Sequence, residues 1–61
     1  MHPIKRRIDE HLRLTGQPPT RFGREALGDP SFVRDLKRGR EPGAATVARI
    51  EAFIANREAG A

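Results

Sequence analysis

Apolar side chains return every three or four residues along this chain, and nowhere do they alternate as a half-buried strand requires. Ile4, Ile8 and Leu12 recur at i, i+4 and i+8, with His11 and Thr15 on the same flank. Pro3 stands where a first-turn proline is tolerated, Gly16 ends the run, and Pro18-Pro19 forbid its continuation. This predicts a first helix over Pro3 to Leu14. Thr20 suits an N-cap, Phe22, Ala26 and Leu27 share one face, and Gly28 stops a short second helix. Asp29-Pro30 restarts the chain as an N-cap followed by a proline at the first helical position. Phe32, Val33 and Leu36 supply the apolar face of a third helix over Pro30 to Arg38, closed by Gly39, with Lys37 and Arg38 suiting its negative end. After the turn Arg40-Glu41-Pro42-Gly43, a fourth helix is expected from Ala44 to Asn56 with the stripe Val47, Ile50, Phe53 and Ile54. Glu58 to Ala61 is expected to fray. The expected fold is all-α, a small four-helix domain.

Length and composition remove most function classes. Sixty-one residues make one domain, 1–61, with no room for a deep pocket beside a core, so an enzyme is not expected. Absent cysteine excludes disulfides, thiolate zinc sites and thiol chemistry. No apolar run approaches the roughly 20 residues of a membrane span. Lys5-Arg6-Arg7 precede no apolar stretch, so no secretory signal is read and a cytoplasmic location is expected. Catalytic and metal constellations fail as well. His2 and His11 lack a third ligand at metal spacing, and the adjacent Asp9 and Glu10 face different directions on a helix. Ser31, His11 and Asp35 form only the kind of triad that chance supplies. No catalytic residue, metal or cofactor is expected, and His11 reads as a surface or half-buried side chain.

Charge points to a partner. The net charge is +4, with an isoelectric point near 11.1. Residues 1–20 hold four basic and two acidic groups, residues 21–40 six and three, and residues 41–61 two and three. The middle third is the basic part, which suits a phosphate-binding surface or, more blandly, a solubilising one.

That same third holds two short helical patterns across a tight turn of Leu27, Gly28 and Asp29. Gly23 lies inside the first pattern, where glycine costs about 1 kcal/mol relative to alanine. Close approach of the second helix is the simplest compensation. Alanine at 23 is expected to be tolerated, and valine to force the two helices apart. This is helix-turn-helix spacing, over about residues 20–39.

Thr20, the Phe22-Gly23 pair, Val33 and Gly39 resemble the lambda-repressor/Cro-like (Xre-type) helix-turn-helix regulators, in their short bacterial or phage form. The resemblance spans residues 4–55, and the block from Gly28 to Arg40 is similar to short regulators of this type. One position departs: where that family commonly has glycine at the start of the turn, this chain has Leu27, and Gly28 follows one residue later. The resemblance implies a sequence-specific transcriptional regulator of double-stranded DNA, a repressor by preference, whose third helix lies in the major groove.

On that helix the outward positions include Ser31, Arg34, Asp35 and Arg38, the expected base contacts. Arginine reads guanine O6 and N7 with a bidentate fork, aspartate accepts from cytosine N4, and serine serves either base. Asp35, between Arg34 and Arg38, has the alternative role of orienting one of their guanidiniums. Thr20, with the free amides of the second helix, together with Arg21, Arg24, Lys37 and Arg40, are the expected phosphate contacts. Lys5, Arg6 and Arg7 suit either a DNA backbone or a solubilising helix end. Phe32 suits the core, or a thymine methyl group as the alternative.

So small an interface calls for a second copy. A homodimer is expected, formed with or only on DNA, with Phe53 and Ile54 of the last helix as contact candidates or as ordinary core. The implied location is cytoplasmic and nucleoid-associated. A protein-interaction module, such as an antitoxin or adaptor, and a nonspecific nucleoid-type DNA binder are the alternatives.

Overall fold

The structure, a computed structural model, describes residues 4–59. Four helices follow one another: α1 (Ile4–Thr15), α2 (Pro19–Leu27), α3 (Phe32–Lys37) and α4 (Ala44–Ala59). No strand occurs among the described residues. The domain is all-α, as the three-to-four-residue apolar period implies.

Each boundary has a local cause. Gly16, at φ +71°, takes the left-handed conformation that ends α1, and its N–H donates to the Leu12 carbonyl at 2.8 Å. Pro3, expected to open α1, lies outside the described residues. α2 begins earlier than expected: Pro18 holds the extended N-cap position and makes no side-chain cap, and Pro19 starts the helix. Thr20 is therefore a first-turn residue and not the cap. The reason is that proline's fixed φ suits the first helical position and its missing N–H is no loss there. Gly28 closes α2 at φ +71°, donating to the Arg24 carbonyl at 2.8 Å. The glycine that the turn requires thus sits at 28, and Leu27 completes the helix before it.

α3 is shorter than the expected Pro30–Arg38. Ser31, and not the expected Asp29, holds its N-cap position, without a side-chain cap; Asp29 instead braces the turn before it, since Oδ1 accepts from the Ser31 N–H at 3.1 Å and the Ser31 hydroxyl at 2.9 Å. Residues 30 and 31 form that turn, with the Phe32 N–H donating to the Asp29 carbonyl at 3.2 Å. The first α-helical bond, from the Asp35 N–H to the Ser31 carbonyl, comes only after that turn. Gly43 receives the first bond of α4, from the Val47 N–H at 3.0 Å. α4 outruns its expected end at Asn56, and Glu58 and Ala59 are helical. Gly60 and Ala61 lie outside the described residues.

One core joins all four helices: Ile4 and Ile8, Phe22 and Ala26, Phe32, Val33 and Leu36, Ile50 and Ile54. Leu12, Leu27, Val47 and Phe53 pack on its margin. α2 contacts both α3 and α4, and α4 contacts α1. Phe32 is 0% exposed and therefore a core residue, so its thymine alternative falls away. Ile54 is 1% exposed and is likewise spent inside, which removes it from any dimer surface.

His11 corrects another expectation. It is 1% exposed, with Phe22 and Phe53 at ring-centroid distances of 5.5 and 6.5 Å. Neither ring nitrogen has a hydrogen-bond partner among the described residues, although Nδ1 lies 3.6 Å from a Glu58 carboxylate oxygen. The extension of α4 to Ala59 is what brings Glu58 there, and a helix read to Asn56 did not foresee it. No helix among the described residues is long and apolar enough to cross a membrane.

Candidate nucleic-acid interface

Close packing at the turn fixes how α3 sits on α2. A Cβ built on Gly23 would run into the Asp29 carbonyl oxygen and would stand 3.5 Å from Phe32 Cβ. Glycine is required at 23 because the backbone of the turn, and not a helix side chain, occupies that space. The expectation that alanine is tolerated there is corrected. The Asp29 N–H also donates to the Gly23 carbonyl, at 3.2 Å.

Arg40 locks the far side of the turn. Its Nη1 lies 2.9 Å from Asp29 Oδ2 and 3.6 Å from Asp35 Oδ2, and its guanidinium covers the Phe32 ring at 4.9 Å. Its own N–H donates to the Asp35 carbonyl, because Gly39 at φ +110° turns the chain back beneath α3. The Ser31 hydroxyl reaches the carboxylates of Asp29 and Asp35, at 2.9 and 3.2 Å. Hydrogen bonds from Arg40 and then Ser31 hold the Asp29 carboxyl below the usual aspartate range. Asp35 pairs with the Arg40 guanidinium, whereas its alternative role concerned Arg34 or Arg38, neither of which has an ion-pair partner among the described residues.

Glu25 is engaged in the same manner. Arg21 Nε donates to it at 2.9 Å, Gln17 Nε2 at 2.9 Å, and Arg57 of α4 lies at 3.5 Å. The hydrogen bond from Arg21 comes first among the causes that lower the Glu25 carboxyl pKa; burial opposes it, and Gln17 and the nearby charges add to it.

Every acidic group between residues 21 and 40 is therefore paired inside the chain, and so are Arg21 and Arg40. Arg24, Arg34, Lys37 and Arg38 are left: all four are exposed, and none has an ion-pair partner among the described residues. Arg34, Lys37 and Arg38 come together with Pro19 and Val33 around an open hollow of about 400 Å³. Arg34 also borders a smaller hollow of about 180 Å³ with Pro19, Thr20, Pro30 and Ser31. The structure thus brings Thr20, Ser31, Arg34, Lys37 and Arg38 to the junction of α2 and α3. Lys5 lies elsewhere, lining a separate hollow with Leu36, Gly39, Arg40 and Glu41.

Chemically, this junction offers hydroxyls, guanidinium forks and an ammonium on a rigid support. No family model, curated protein or solved structure matches the chain.

Proposed function

We infer that this chain is a DNA-binding domain of a transcriptional regulator, reading double-stranded DNA with α3 in the major groove and acting as a repressor. One observation carries the reading. The acidic groups of the basic segment are paired internally, so Arg24, Arg34, Lys37 and Arg38 are exposed on two closely packed helices and the cap that follows, without ion-pair partners among the described residues. A merely solubilising surface gains nothing from such sorting, whereas a polyanion rewards it through counterion release.

Within this reading Arg34 and Arg38, one turn apart, take base edges with Ser31 beside them. Arg24, Lys37 and the Thr20 hydroxyl take phosphates. Arg21 shares its charge between Glu25 and the DNA backbone. Asp35 and Arg40 act as positioning residues that fix α3 on the turn. The resemblance of Thr20, Phe22-Gly23, Val33 and Gly39 to Xre-type regulators agrees with this assignment, and the left-handed Gly28 accommodates the one-residue departure at Leu27. A six-residue α3 covers few base pairs, so two copies on an inverted repeat supply the rest of the specific interface. The location follows from the function, cytoplasmic and nucleoid-associated.

Selection of bound duplexes from a random pool, followed by a salt titration, tests this. A DNA reader enriches a short motif and shows log Kobs falling steeply with log salt, by about 0.9 per phosphate contact. A nonspecific nucleoid binder shows the slope without the motif. A protein-interaction module shows neither.

A further inference from the structure

Apolar surface at the α2–α3 junction comes from Pro19. This residue is exposed at the first position of α2, where the rigid ring is held by the helix start. It borders both hollows beside Arg34. The larger one is lined by Pro19, Val33, Arg34, Lys37 and Arg38, with Val33 at 2% exposure and fixed by the core. Long basic side chains lay methylene stems along apolar surface and keep their charged heads in water. The result is an open, partly apolar hollow lined by three cations without ion-pair partners among the described residues. Its charge calls for a polyanion, and its apolar lining calls for a small apolar projection on that polyanion. Double-stranded DNA carries one such group in the major groove, the C5 methyl of thymine. The smaller hollow, with Thr20 and Ser31, is hydroxyl-lined and suits a polar contact.

We propose that the Pro19 hollow is a thymine-reading subsite: the C5 methyl seats against the exposed Pro19 ring, while Arg34 or Arg38 takes a neighbouring guanine. This rests on the DNA-binding reading above and adds a base identity to it. It also accounts for a proline at 19 in place of a polar first-turn residue, because an N–H or hydroxyl there would compete for water where a methyl must sit.

The test uses the full chain and two random duplex pools, one made with thymine and one with uracil, which differ only in that methyl group. The expected result is a motif with an A·T pair beside a G·C pair in the thymine pool. Uracil at that one position should weaken binding about fourfold, the worth of one buried methyl group. In Pro19→Ala, checked for helix content by circular dichroism, the thymine and uracil duplexes should bind alike while the guanine preference persists. Equal affinity for thymine and uracil duplexes in the unaltered chain overturns the subsite and leaves the DNA reading intact. A methyl preference that survives in Pro19→Ala overturns it too, since the methyl then sits elsewhere. Enrichment in neither pool overturns the subsite together with the DNA reading beneath it.

Discussion

Gly23 and Asp29 meet backbone to backbone: the Asp29 N–H donates to the Gly23 carbonyl, and the Asp29 carbonyl fills the place of the missing Cβ. The turn cannot retreat freely, because Asp29 also anchors Ser31 and Arg40. Gly23→Ala should therefore destabilise the fold by about 1–3 kcal/mol, the range for overpacking, despite alanine's better helix propensity. Thermal unfolding followed by circular dichroism checks it. An unchanged or raised Tm would show that the turn yields.

His11 sits inside an aromatic cluster, its ring nitrogens without hydrogen bonds among the described residues and Nδ1 3.6 Å from Glu58. Replacing a buried polar group by an apolar one of similar size removes a desolvation cost of about 1–3 kcal/mol. His11→Leu should leave Tm unchanged or raise it, whereas His11→Ala should lower it by opening a cavity. A marked loss of stability in the leucine variant would mean that the contact with Glu58 outweighs the desolvation.

Acid should loosen the turn. The Asp29 and Glu25 carboxyls are both lowered from ordinary values of 3.8 and 4.5. A lowered carboxyl contributes stability that is present above its ordinary value and lost as pH falls through the still lower value in the folded chain. Stability should decline across that acid window. In Arg40→Met, which removes the leading cause at Asp29, the decline should be shallower. Urea unfolding at a series of pH values measures both, and identical acid slopes would assign Asp29 no part.

The helices were legible because the apolar period fixes them, and Ile4, Ile8, Phe22, Ala26, Val33, Leu36 and Ile50 all enter the core as that period implies. The ends were less legible. Pro19 and Thr20 both suit a helix start, and only the extended Pro18 decides between them. The spacing implied that Arg34, Lys37 and Arg38 face outward, and all three are exposed, Arg38 at the C-cap of α3 and not within it. The pairing of Arg40 with Asp29, eleven residues away, could not, because it depends on the reversal at Gly39. The same holds for the burial of His11, which needs Phe53 and Glu58 brought across from α4.

Assembly should depend on DNA. Ile54 is internal, and Leu14, 72% exposed, is the only large hydrophobic side chain exposed among the described residues. A stable dimer needs a larger apolar patch than this. Sedimentation should report a monomer without DNA and two copies on an inverted repeat whose half-sites lie about 10 base pairs apart. Inserting five base pairs, which turns one half-site to the opposite side of the duplex, should abolish the cooperativity. Unchanged affinity and stoichiometry would favour a monomeric reader.

Base reading at the α2–α3 junction is tested most directly by binding of the unaltered chain, Arg34→Ala and Arg38→Ala to a selected duplex and to a scrambled duplex of the same composition at the same salt concentration. Each variant should lose about 1–3 kcal/mol on the selected site and much less on the scrambled one. Equal losses on both duplexes, or no loss on either, would contradict base reading by α3.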